Sequence, residues 1–170
     1  MAEIVRTERL LVRQLHPEDQ DFILELLNSP DWMKYIGDRG VKDALSAQEY
    51  IISGPMSAYA KHGYGLFLLE EKESNKPLGL AGFLKRTELD FPDLGFALLP
   101  EAEGKGYAHE ACASLINIGK ENWGFTRLFA ITLSENTRSK KLLTQLGFVP
   151  KGDFSFLGKK EKLELLEFVY

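Results

Sequence analysis

A single cysteine, Cys112, occurs in the 170 residues. That excludes an internal disulfide and any cysteine-rich zinc centre, and it fits a reducing, cytoplasmic setting. The three histidines, His16, His62 and His109, share no spacing that would gather them around one ion, so no metal is expected. Charge of neither sign dominates. With 21 basic against 25 acidic residues, a net charge of −4 and no block of five or more basic residues, a nucleic-acid backbone is not the expected partner. Long apolar runs are missing too. The opening MAEIVRTERL carries charge throughout, so neither a secretory leader nor a membrane span is expected. What remains is a chain with 44% hydrophobic residues and no repeat or linker, enough for one domain over residues 1–170, alone or as a homodimer.

Leu10 to Leu15 reads as a strand, and Pro17-Glu18-Asp19 as the first turn of a helix carrying Phe22, Ile23, Leu26 and Leu27. Ser46 followed by Glu49 has capping-box spacing, which predicts a helix from Ala47 toward His62, broken or kinked at Gly54-Pro55. Gly65 to Glu71, Leu78 to Arg86 and Leu94 to Leu99 are strand-like runs that most simply form an antiparallel meander. Tyr107 to Lys120 places Ala108, Ala111, Cys112, Leu115 and Ile116 on one helical face. Then come a buried strand at Arg127 to Leu133, a helix at Thr137 to Leu146, and a closing strand pair of Phe148-Val149 with Lys162 to Tyr170. This order joins a parallel crossover to the meander, giving a mixed α/β (α+β) fold with one central sheet and flanking helices.

The segment Leu94 to Ala113, LGFALLPEAEGKGYAHEACA, carries the most chemistry. A strand runs into a turn at Gly104-Lys105-Gly106 that opens onto a helix, so unpaired amides converge at the positive end of the helix dipole. Such a turn suits an anion. Glycine turns also precede helices for packing reasons alone, so the motif is weak by itself.

Taken with TERLLVRQLHPED, LLNSPDWMKYIG and NTRSKKLLTQLGF, the segment resembles the GNAT superfamily of N-acetyltransferases, in particular the branch of the ribosomal-protein alanine N-acetyltransferases. The resemblance implies acetyl-CoA as donor, with its diphosphate on the amides of Gly104, Lys105, Gly106, Tyr107, Ala108 and His109. It also implies pantetheine contacts at Leu98 and Leu99, where the strand ending at Pro100 would leave backbone groups free, and at Asn136, which is otherwise a helix cap. An amide near Leu98 would stabilise the thioester oxygen as charge builds on it. Lys105 or Lys141 would meet remaining phosphate charge, unless both are plain solvated lysines.

Acetyl transfer needs a neutral amine. Lysine-like amines, with a reference pKa of about 10.4, need a base, whereas α-amino groups near 7.7 to 8 need one less. Asp93 and Glu88 are the candidate bases, each otherwise a surface acid of a hairpin. Where much of the superfamily has a tyrosine that protonates the departing sulfur, this chain has Leu143; Ser139, matching the serine of the ribosomal branch, is the candidate acid or simply an exposed serine. Trp32 and Tyr35 are candidates for the acceptor pocket or for plain core. The reading is therefore an acetyl-CoA-dependent N-acetyltransferase acting on a protein N-terminus or a small amine. Its rivals are a non-catalytic acyl-CoA sensor and, lower, a dinucleotide-phosphate domain, which expects its glycine turn after the first strand.

Overall fold

A computed structural model describes residues 2–170. Its strands are β1 (Glu3–Arg6), β2 (Leu10–Arg13), β3 (Leu66–Glu71), β4 (Pro77–Leu84), β5 (Asp93–Leu98), β6 (Arg127–Leu133), β7 (Val149–Phe154) and β8 (Leu163–Val169). They form one sheet in the order β1-β2-β3-β4-β5-β6-β8-β7. Every pairing is antiparallel except β5 with β6. The helices are α1 (Gln20–Leu27), α2 (Pro30–Tyr35), α3 (Ala44–Ile51), α4 (Ser57–His62), α5 (Tyr107–Trp123) and α6 (Thr137–Gln145). The mixed α/β fold read from the sequence is the fold observed, with α5 as the crossover between the two parallel strands.

Alternation along the strands divides the core in two, because neighbouring side chains leave opposite faces of a sheet. One face buries Phe67, Leu69, Ala81, Phe83 and Leu94 against Ala111, Cys112 and Leu115 of α5. The other buries Leu68, Leu80 and Leu99 against Ile23, Leu26 and Leu27 of α1 and Ala47 and Ile51 of α3.

Several local expectations change. The α3 cap is Asp43 rather than Ser46: its Oδ1 accepts from the Ser46 amide at 2.8 Å, while Ser46 Oγ accepts from the Asp43 amide at 3.1 Å. Gly54-Pro55 does not break the helix. A π-helical turn over Ile52–Met56 joins α3 to α4 and takes in the proline, since a widened turn is where a missing N–H and a bulky ring are tolerated. Strand β1 and helix α2 were not foreseen, although Pro30 and Asp31 at the start of α2 are the same signal used for α1. Strand β7 runs past Val149 through Pro150 and a bulge near Gly152, a place for proline that only an edge strand offers.

Candidate active site

Pairing between β5 and β6 is confined to one end, at Asp93 opposite Phe129, with the Phe129 amide donating to the Pro92 carbonyl at 2.9 Å. At the other end of β5 the Leu99 amide donates to Leu78 at 2.8 Å, and Gly79 lies opposite Leu98. Bonded and non-bonded pairs alternate along an antiparallel ladder. The backbone groups of Phe96 and Leu98 therefore turn away from β4 toward the gap, where β6 no longer reaches them. A cavity of about 1000 Å³ lies here, lined by residues of β5, β6, α2, α5 and α6.

The phosphate-type turn forms one end. Gly104 and Gly106 adopt φ of +73° and +82°, left-handed values that cost other residues about 1–2 kcal/mol. Gly106 caps α5. Among the described residues no acceptor takes the amides of Gly104 through His109, the Glu110 amide being the first bonded, to Gly106 at 3.0 Å. A Cβ on Gly104 would meet nothing within 4 Å, and one on Gly106 would lie 3.3 Å from Arg9 Nη2. Space beside Gly104 is open, and Arg9 borders it at Gly106.

Of the residues singled out from sequence, Leu98, Gly104, Gly106, Tyr107, Ala108, His109, Asn136, Ser139, Lys141, Trp32, Tyr35 and Asp93 line this one cavity. Leu99, Lys105 and Glu88 do not. Leu99 is buried in the α1–α3 core and its amide is spent on Leu78, so it offers no free pantetheine contact. The Lys105 side chain is exposed away from the cavity, leaving Lys141 as the lining lysine. Glu88 stands exposed in the β4–β5 loop. Asn136 caps α6, its side chain accepting from the Ser139 amide at 3.2 Å, and it lines the cavity as well.

Asp93 is 2% exposed and pairs with Arg86 Nε at 2.8 Å. Burial pushes its carboxyl above the usual range, with Arg86 opposing the shift. Leu143, at the position of the family tyrosine, is a buried apolar wall. Trp32 is 5% exposed, and its Nε1 is a buried donor without a partner among the described residues. Cys112 is fully buried, which drives its thiol up and removes it as a nucleophile.

Sequence reading missed a charged cluster at the cavity rim. Arg138 Nη1 lies 2.6 Å from Glu103 and 3.5 Å from Asp31, linking α6, the loop before α5 and α2. Burial and the neighbouring Asp31 raise the Glu103 carboxyl, with Arg138 pulling it down. No local pattern joins residues 31, 103 and 138; only the fold does.

The family model of the acetyltransferase (GNAT) domain matches residues 9–149, which span the turn, the splayed strand and α6. The chain belongs to the GNAT acetyltransferase family. As a GNAT protein it is an acyltransferase that transfers acetyl groups. The uncharacterized N-acetyltransferase p20 of Bacillus licheniformis is 30% identical over 152 residues, covering 88% of this chain and 84% of that protein. Two solved structures share the GNAT fold. A ribosomal-protein-S5-alanine acetyltransferase from Vibrio fischeri has a TM-score of 0.80 at 20% identity, covering 97% of this chain and 95% of that one. The microcin C7 self-immunity acetyltransferase MccE, in complex with acetyl-CoA and AMP, has a TM-score of 0.81 at 16% identity, covering 96% and 93%. Among the described residues no cluster of three or more His, Cys, Asp or Glu is placed to hold a metal, and no helix is long and apolar enough to cross a membrane.

Proposed function

We propose that this GNAT enzyme takes its acetyl group from acetyl-CoA and passes it directly to an amine, either a protein N-terminus, as in the ribosomal-protein alanine branch, or a small-molecule amine. The observation that carries this reading is the run of unpaired amides from Gly104 to His109, of which Gly104, Gly106, Tyr107, Ala108 and His109 line one end of the cavity beside β5. Acetyl-CoA bound to the fold-related MccE supports the same donor here. The thioester supplies an activated acetyl group.

The chain's residues then divide the work. Amides of residues 104–109, at the positive end of a 17-residue helix, hold the diphosphate, each favourable charge contact with the dipole contributing ~0.3–1 kcal/mol. Lys141 meets further phosphate charge. Backbone groups of Phe96 and Leu98 pair with the pantetheine arm as an added strand would, and the Leu98 amide faces the oxygen on which charge builds. Asp93, its carboxyl raised by burial, accepts the amine's proton through water. Glu88, outside the cavity, takes no part. Ser139 hydrogen-bonds the departing sulfur, whose thiol form has a reference pKa of about 8.5 and so leaves as a tolerable thiolate.

Calorimetry with acetyl-CoA and with free CoA tests the donor; no heat from well-folded protein would end this reading. Leu143 in place of the tyrosine favours one rival, the acyl-CoA sensor. Release of free CoA in the presence of an amine panel supports the enzyme, and saturable binding without turnover supports the sensor.

A further inference from the structure

We propose that Arg9 is a positioning residue for the donor, acting through the loop rather than on the ligand. The inference rests on the acetyl-CoA reading above. Arg9 leaves the β1–β2 turn and reaches residues about a hundred positions away. Its Nη1 donates to the Lys105 carbonyl at 2.8 Å and its Nε to Glu110 Oε2 at 2.7 Å. Its own backbone amide donates to Glu110 Oε1 at 2.7 Å, which also accepts from Thr7 Oγ1 at 2.5 Å. The guanidinium lies 4.3 Å from the centre of the Tyr107 ring, and the Tyr107 hydroxyl donates to Glu71 at 2.5 Å.

The consequence follows from peptide geometry. In a trans peptide the carbonyl and the amide it shares a plane with point in opposite directions. Holding the Lys105 carbonyl outward on Arg9 therefore aims the Gly106 amide inward, and Gly106 lines the cavity where Lys105 does not. Something must hold that peptide. Gly106 on its far side leaves it little intrinsic preference, and a flip would turn a carbonyl oxygen toward the diphosphate. Arg9 is already paired to Glu110, so its charge is largely committed. Its fork serves two acceptors at once, which a lysine ammonium on a flexible stem does not reproduce.

Arg9→Ala and Arg9→Lys test this with two donors, acetyl-CoA and S-acetyl-N-acetylcysteamine, which lacks the diphosphate. Arg9→Lys keeps the charge and the stem near Tyr107, and it replaces Arg9→Ala if that variant folds poorly. Both are expected to raise the KM for acetyl-CoA roughly tenfold, the equivalent of one hydrogen bond to a charged group, with kcat little changed. The kcat/KM for the short donor should hardly move. Equal losses with both donors would make Arg9 merely structural and overturn the proposal, as would an unchanged KM for acetyl-CoA. Failure of the underlying donor reading would show differently, as wild-type protein that binds no acetyl-CoA.

Discussion

The two halves of the cavity are made of different material. The half we assign to the donor is backbone: unpaired amides of residues 104–109 and the free edge of β5 at Phe96 and Leu98. The half we assign to the acceptor is side chains, with Trp32 and Tyr35 from α2, Tyr50 from α3, Arg86 after β4, Asp93 on β5 and Phe156 after β7. A backbone site recognises what every donor of one class shares. A side-chain site can be rebuilt without disturbing the sheet, and this leaves the acceptor open within a family whose donor is common.

If the halves are functionally separate, substitutions should move one set of kinetic constants and spare the other. The largest effect is expected from Asp93→Asn: a fall in kcat of roughly 100-fold, in the range of general base catalysis, with acetyl-CoA affinity unchanged. The loss should be greater with a lysine-like amine than with an α-amino group, since the first is mostly protonated at neutral pH. Equal losses with both amines would remove Asp93 as the base. Next comes Gly106→Val. The positive φ of +82° and the Arg9 Nη2 atom 3.3 Å from a Cβ disfavour the substitution, so the loop backbone and its amides must shift. Acetyl-CoA affinity should fall roughly 10- to 100-fold, the equivalent of one or two lost hydrogen bonds to a charged group, with S-acetyl-N-acetylcysteamine turnover far less affected. Comparable loss with both donors would erase the division.

The same contrast explains what could be read from the sequence. The geometry of the proposed donor half was legible because its signal is local: strand, Gly-x-Gly and the first turns of the amphipathic helix lie within 20 consecutive residues, and backbone donors follow from the helix start alone. Leu99 shows the limit, since which of two adjacent amides is free depends on ladder alternation against β4. The Arg138–Glu103–Asp31 cluster and the Arg9 bracket were illegible for a different reason. Their members are brought together by strand order, and each alone reads as an ordinary surface charge. The short helix α2 had its start signal, Pro30-Asp31, but six residues gave too little periodicity to see.

Smaller effects sharpen the comparison from the acceptor side. Trp32→Phe removes a buried donor that has no partner among the described residues. Stability should therefore change little beyond the lost ring volume, or rise slightly, because an unsatisfied buried N–H costs about 1–3 kcal/mol. If that N–H meets a bound acceptor, the acceptor KM rises while the KM for acetyl-CoA stays put. A raised KM for acetyl-CoA instead would place Trp32 in the donor half.

The smallest effect concerns pH and two carboxylates that flank the same loop. Burial pulls the Glu110 carboxyl up, but hydrogen bonds from Thr7 and from the Arg9 amide and guanidinium outweigh it and leave it below the ordinary range. A carboxyl lowered in the folded state stabilises the fold above its unfolded pKa, and that contribution is lost as pH falls through the folded value. Glu103 runs the other way. Its raised carboxyl contributes stability when protonated, below its unfolded pKa, and that share is lost as pH rises through the folded value. The Tm difference between wild type and Glu110→Gln should hold steady near neutrality and shrink as pH drops below the usual carboxylate pKa of about 4.3. For Glu103→Gln the variant should gain on wild type as pH rises from that point toward neutrality. Parallel slopes for the two variants would show that Arg9 and Arg138 bind their carboxylates alike, and that only one charged bracket, not two of opposite character, frames the amides of the loop.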